Sequence, residues 1–288
     1  MGRVKQGYTI LETMIVIGVS AVMFITAVAA FSGSQQDVQF SQSIRDLESK
    51  IQDVINDVSV GFFNNDGSIA CSEASAAGDR LDLVYDASLS AQQGSNNECI
   101  FVGKAIQFAP NGDPNSIQIY TILGRRNAAS GGVTQSLNDA EPEVIADVSN
   151  PDLNRYIEQY DLEWGTEISH VGINDGGSVE NYGAVAFVTA FARSIGNVDI
   201  SNSSVRNGAV KGTTLTDTQT QFITTINNLN EDTTSLAAGS IDLRGNEEIN
   251  VCLRSPSGDR ASIVIGGSGS TTTRLAIDNF DPDVCRST

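Results

Sequence analysis

The sequence predicts an α+β fold, in which one long N-terminal helix is packed on a β-rich, mostly antiparallel head with long loops. Three observations lead to this fold class. Residues 8–31 form an apolar run of membrane length, and apolar residues recur at helical spacing through residues 32–60. Residues 61–288 then hold short alternating stretches separated by turn-forming residues. These spans, preceded by residues 1–7 as a leader, are the predicted domain boundaries.

The apolar run of residues 8–31 contains no proline, and Glu12 is its one charged residue. As a helix it would be about 36 Å long, which is enough to cross a hydrocarbon core with some tilt. Arg3 and Lys5 precede the run, and the positive-inside rule places such a flank in the cytoplasm. The sequence therefore predicts a single-pass membrane segment that is followed by an exported head.

A second helical pattern continues beyond the apolar run. Apolar residues recur every three or four positions, while charged residues occupy the other faces. We therefore expect one helix over residues 9–58 whose stripe is buried against a sheet of the same chain, with a coiled-coil partner as the alternative. The stripe consists of Val38, Phe40, Ile44, Leu47, Ile51, Val54, Ile55 and Val58.

The remainder of the chain carries the signals of β-strands and turns. A hairpin with a Pro/Gly turn is expected near the C-terminus, and a short helix is expected from the spacing of Leu153, Tyr156, Ile157 and Tyr160. Residues 125–150 and 195–248 are expected to be long loops. The predicted strands are residues 80–85, 100–108, 116–124, 183–193, 249–254, 261–265 and 272–277.

Four cysteines follow the predicted membrane segment, and an exported head would hold them in an oxidising compartment. Their spacings match no C-x-x-C metal or redox motif, so disulfides are the expected state. Three pairings are possible, of which we favour the sequential one, Cys71–Cys99 and Cys252–Cys285. Each bridge would close a loop of about 30 residues and stabilise the fold by roughly 3–4 kcal/mol.

Composition and the absence of catalytic motifs exclude several function classes. The formal net charge is −18, which disfavours nucleic acid as a partner because that affinity depends on cationic neutralisation of phosphates. His170 is the single histidine, so histidine-based metal clusters and metalloprotease motifs are excluded. A calcium-like pattern at residues 64–73 has Phe62 at its first ligand position. We expect no enzyme, no cofactor and no metal site.

The first residues carry the most specific pattern in the chain. A short basic leader ends at Gly7, the aromatic Tyr8 follows, and Glu12 is the fifth residue after the glycine. This arrangement resembles the N-terminal motif of the type IV pilin and pseudopilin family. The resemblance implies that a prepilin peptidase cleaves between Gly7 and Tyr8, that the amine of Tyr8 is methylated, and that copies assemble through their helices into a fibre.

Glu12 has a role in this interpretation. A carboxylate in a membrane costs roughly 2.5–3.5 kcal/mol at mid-bilayer, so it needs a partner. Cleavage would create one, because the new α-ammonium of Tyr8 in a neighbouring subunit can pair with Glu12. The expected location is the inner membrane before assembly and an extracellular pilus or pilus-like fibre afterwards, with other pilin subunits as partners.

We prefer a minor subunit to a major one for two reasons. The head is long, and the first proline of the chain is Pro110, whereas many major pilins have a proline inside the membrane half of the helix. The predicted C-terminal hairpin is similar to that of H-type minor pseudopilin heads. Three alternatives stay open: a membrane-tethered adhesion or binding protein that does not polymerise, an ordinary membrane anchor, and a secretory signal peptide cleaved near Ala29. The machine served (adhesion and twitching, DNA uptake or secretion) is also open.

Overall fold

The computed structural model describes residues 9–63, 69–72, 82–85, 99–128, 132–146, 151–175, 178–189, 205–229, 239, 241, 248–267, 272–277 and 285. Contacts between Cα atoms divide the chain into two compact units, Met1–Gln42 and Ser43–Thr288. The described residues combine a long helix with antiparallel sheets, so the fold is α+β.

Helix α1 extends from Ile10 to Val60, close to the range that the sequence predicts. No proline interrupts it, and its two halves differ in where their apolar residues lie. From Ile44 to Val58 the predicted stripe is buried, with Ile44, Leu47 and Ile51 fully so. Val38 was expected in the same stripe but is 65% exposed, so the buried stripe begins later than the periodicity suggests.

The described strands form three antiparallel sheets. Strands β1 (Ile69–Ser72) and β2 (Asp82–Tyr85) pair with each other. The sheet that we call the first sheet has the order β10–β9–β3–β4–β5, and β6 also pairs with β4. The second sheet has the order β13–β12–β11–β7–β8. Their bounds are β3 Cys99–Phe108, β4 Ser116–Arg125, β5 Glu143–Val144, β6 Glu158–Asp161, β7 Glu167–Asp175, β8 Ser178–Asn181, β9 Ala184–Thr189, β10 Val205–Ala209, β11 Glu248–Arg254, β12 Arg260–Gly266 and β13 Thr273–Ile277.

One face of the first sheet is covered by two helices, α2 (Leu137–Ala140) and α4 (Gln219–Asn227), which share a hydrophobic cluster with β3, β4 and β9. The ring of Tyr120 lies 4.6 Å from that of Phe222, between centroids. The Tyr120 hydroxyl donates to Gln118 Oε1 at 2.7 Å, so its polar end is satisfied inside the core. Burial raises the pKa of Tyr120, and this side chain is therefore a neutral core residue.

The opposite face of the first sheet carries Lys104, whose ammonium is paired with Asp57 of α1 at 2.5 Å. Lys50 of the same helix is paired with Glu158 on β6. On the second sheet, the hydroxyl of Thr273 lies 3.3 Å from carboxylate and amide oxygens of α1. The part of α1 after Ser43 is therefore joined by polar contacts to strands of both larger sheets.

The second sheet contains the predicted C-terminal hairpin, formed by β11 and β12. In its turn the Asp259 carboxylate accepts hydrogen bonds from Ser257 at 2.6 Å and from Ser255 at 3.1 Å, which lowers the pKa of Asp259. A disulfide joins Cys252 to Cys285. Cys99 is also disulfide-bonded. The side chain of Cys71 lies outside the described residues, so the Cys71–Cys99 pairing stays a prediction.

Two expectations from the sequence differ from the structure in this part of the chain. Residues 125–150 and 195–248 are not loops throughout, because their described parts contain α2, β5, β10 and α4. Helix α4 begins with a capping box in which Thr218 and Gln221 satisfy each other's backbone amides. The short helix α3 (Pro151–Asn154) ends before Tyr156, and Tyr160 belongs to strand β6 instead. Hydrogen bonding to β4 determines the conformation there, in spite of the helical spacing.

The ion pair between Lys104 and Asp57 predicts an asymmetric response to mutation. The Lys104 side chain is 8% exposed and that of Asp57 is 33% exposed. Asp57→Asn leaves a buried ammonium without its anion and should cost roughly 2–4 kcal/mol, whereas Lys104→Met leaves a solvated carboxylate and should cost less than about 1.5 kcal/mol. Urea unfolding followed by circular dichroism measures both. Equal losses, or a larger loss for Lys104→Met, would contradict this assignment.

The burial of His170 predicts how the stability of the fold depends on pH. It lies opposite Cys252 across β7 and β11, and its Nε2 atom has no hydrogen-bond partner within the part of the chain that the structure describes. Burial lowers the pKa of His170. The pKa of His170 is lower in the folded state than in the unfolded state, where it is about 6.5. The neutral ring therefore stabilises the fold above about pH 6.5, and this contribution is lost as the pH falls toward the folded pKa.

Proton NMR can follow this single histidine without ambiguity. We expect its titration midpoint below about 6.5, and the stability difference between the wild-type chain and His170→Gln should shrink as the pH falls from 7 to 5. A midpoint above that value would show that a charged partner, not burial, controls the ring.

Candidate functional site: an exposed apolar helix segment

The residues that the sequence singles out for processing and assembly are only partly within the described chain. Gly7 and Tyr8 lie outside the described residues, so cleavage between them and methylation of Tyr8 stay predictions. Glu12 is described, and it lies in the first turn of helix α1. The candidate site is therefore the start of α1 together with the apolar residues that follow it.

The segment Ile10–Val28, which we call the apolar segment, is 19 residues long with a mean hydropathy of 2.1, and none of it is buried. Its large apolar side chains are 49–79% exposed. They occupy successive positions such as Ile15, Val16 and Ile17, so they surround the helix and do not form a stripe. A helix that is apolar on all sides requires an apolar environment, and this one is long enough to span a membrane.

Two of the three hydroxyl side chains inside the apolar segment, Thr13 and Thr26, form hydrogen bonds that suit such an environment. Thr13 Oγ1 donates to the carbonyl of Ile10 at 2.9 Å, and Thr26 Oγ1 donates to the carbonyl of Met23 at the same distance. A hydroxyl without a partner would be costly to bury in hydrocarbon. Because these two threonines use their own helix as the acceptor, they do not need water.

The start of the helix gives Glu12 a local contact that the sequence analysis missed. Thr9 Oγ1 accepts a hydrogen bond from the backbone N–H of Glu12 at 3.3 Å, as an N-cap residue does for the third residue of a helix. A glutamate at that third position is typical of a capping box, and a negative charge there interacts favourably with the helix dipole. The spacing T-x-x-E at residues 9–12 was the available signal. The charge of Glu12 therefore suits the start of its own helix.

Among the described residues, no group of three or more His, Cys, Asp or Glu side chains could hold a metal ion. Of the calcium-like pattern at residues 64–73, only the four residues 69–72, in strand β1, belong to the part of the chain that the structure describes.

Comparisons of the chain with family models, with curated proteins and with solved structures give no match. The resemblance to prepilins therefore rests on the motif that surrounds Gly7, Tyr8 and Glu12.

Charges placed in the middle of the apolar segment should prevent its insertion into a membrane. Two lysines at Ile17 and Val19 would each cost roughly 2.5–3.5 kcal/mol at the helix centre. We expect the double variant Ile17→Lys/Val19→Lys to leave the membrane pellet on alkaline carbonate extraction. The matched control, Ile17→Leu/Val19→Leu, should remain in the pellet. Equal retention of both variants would mean that this segment is not inserted in the bilayer.

Proposed function

We propose that this chain is a structural subunit, of the minor type, of a type IV pilus or pilus-like machine. It would be processed by a prepilin peptidase after Gly7 and would assemble with other pilin subunits through its N-terminal helix. The observation that supports this most is the combination of a fully exposed apolar segment with a single carboxylate at its start. No enzymatic activity, cofactor or nucleic-acid partner is part of the proposal.

The exposed apolar segment suits a subunit that moves from a membrane into a fibre. Lipid tails and apolar side chains are similar solvents for such a helix, so transfer between them costs little hydrophobic free energy. Association then depends on close packing and on polar contacts between helices. An inner-membrane precursor with an exported head, and later an extracellular fibre, are the two locations that this account requires.

Glu12 supplies the polar contact in this proposal. Its carboxylate lies on the exposed first turn, where the Tyr8 ammonium of a cleaved neighbour could approach it. Methylation of that amine would keep the positive charge and hence the pairing. The local contact with Thr9 orients the start of the helix but leaves the carboxylate charge without a cationic partner among the described residues.

The alternative is a membrane-tethered adhesion or binding protein that does not polymerise. The apolar segment would serve it equally well as an anchor, and the large unit Ser43–Thr288 would be its binding head. This alternative assigns no role between molecules to Glu12. The two functions therefore differ in what happens when the charge at residue 12 is removed.

Three substitutions separate charge pairing from local capping. Glu12→Ala and Glu12→Gln both remove the charge and keep the backbone N–H that donates to Thr9 Oγ1, and Gln also keeps a side chain that suits a capping box. Thr9→Val removes the capping oxygen and leaves the charge. We expect both Glu12 variants to stay in the membrane fraction and to fall at least about tenfold in sheared fibres, as a lost ion pair of about 1.4 kcal/mol or more implies.

The measurement is immunoblotting of sheared fibres and of membranes from cells in which each variant replaces the wild-type chain. Thr9→Val is the matched control and should be incorporated normally. Normal incorporation of Glu12→Gln would show that assembly does not need the charge at residue 12. An absence of the wild-type chain from fibres would favour the tethered protein.

A further inference from the structure

A cleft with a volume of about 730 Å³ lies between helix α1 and the first sheet, entirely within the unit Ser43–Thr288. Its floor is formed by side chains of β3 and β4, among which Lys104 and Thr121 are direct cross-strand neighbours. One wall is the face of α1 that carries Asp53 and Asn56, and the other is the segment of residues 155–159. The floor is buried and the walls are exposed, so the cleft is open to solvent.

Thr121 offers a hydroxyl group to a polar ligand in the cleft. The residue is 8% exposed and lines the floor. Its backbone carbonyl accepts from the N–H of Ile145 at 2.9 Å, but its hydroxyl has no hydrogen-bond partner among the described residues. The hydroxyl is not one of the buried side-chain oxygens that lack a partner, so it is open to the cleft, where a ligand can form a hydrogen bond with it.

The cations of the cleft are already engaged by the protein. Lys104 is paired with Asp57, and Lys50 is paired with Glu158. Arg155 donates to the hydroxyl of Tyr156 at 2.8 Å and lies 4.9 Å from the centre of its ring. A charged ligand would have to compete with these contacts. A neutral ligand can instead use the remaining lone pairs and N–H groups of the same side chains without separating any pair.

We propose that this cleft binds a short neutral oligosaccharide. Sugar hydroxyls both donate and accept hydrogen bonds, which suits the hydroxyl of Thr121, the carboxylate of Asp53 and the amide of Asn56. The C–H face of a sugar ring can pack on an aromatic side chain, and the cleft offers the 59% exposed Phe62. The volume falls within the roughly 300–1,000 Å³ that is common for ligand sites.

This site does not depend on the proposed assembly role, because none of its residues lies in the apolar segment. It adds a binding activity to the unit Ser43–Thr288, whether the chain polymerises or stays tethered.

Saturation-transfer NMR on the full-length chain tests the proposal, in a polyoxyethylene detergent because sugar-based detergents would compete. The probes are lactose, maltotriose and diacetylchitobiose, with oligogalacturonate, glutamate and inorganic phosphate as charged counterparts. We expect binding of at least one neutral probe in preference to the charged ones. Thr121→Val and Asp53→Asn should each weaken it about five- to tenfold, the effect of losing one hydrogen bond.

Thr224→Val is the matched control, because it removes an exposed hydroxyl on α4, away from the cleft. Its affinity and melting temperature should equal those of the wild-type chain. If Thr121→Val does not fold, Asp53→Asn on the exposed wall decides alone. The proposal is overturned if no neutral probe binds at millimolar concentration, if only the charged probes bind, or if Asp53→Asn binds as tightly as the wild-type chain.

Discussion

The exposure of the apolar segment Ile10–Val28 is the constraint on which the rest of this molecule depends. Burying one large apolar side chain is worth about 1.5–3 kcal/mol, and none of this segment is buried within the chain. Folded domains are stable by only about 5–15 kcal/mol in total, so the free energy that this surface would forgo in water is as large as the stability of a domain. The segment must be covered by lipid or by other protein. In the proposed function, location and assembly depend on this helix, whereas the proposed ligand site lies in the head.

After Ser43 the apolar residues of the same helix have a different environment. There the apolar residues form one stripe, from Ile44 to Val58, and that stripe is buried. The remaining faces carry groups such as Lys50 and Asp57, which form ion pairs with the first sheet. The apolar residues of α1 thus cover all sides of the helix in its first part and form a single stripe in its second part. The first part requires an external apolar environment, whereas the second is stabilised by the unit Ser43–Thr288.

The sequence predicts those elements whose hydrophobic pattern agrees with their environment. Strands β3, β4, β11 and β12 alternate or are apolar throughout, and each lies near its expected bounds. Helix α4 was missed because it is rich in threonine, and its capping box and buried Phe222 outweigh that weak propensity. The cleft could not be predicted, because Lys104 and Thr121 become neighbours through a register that shifts between Phe101 and Gly103. The hydrogen bond between the Glu12 N–H and Thr9 Oγ1 could have been predicted, because the two residues are three positions apart in the sequence.

The identity of the first residue in the mature chain is the most direct test of the assembly account. Intact-mass and N-terminal peptide mass spectrometry on the protein purified from native envelopes would determine it. The account predicts a chain that begins at Tyr8 and carries a methyl group on its α-amine. A chain that still begins at Met1, or that begins after Ala29, would contradict it.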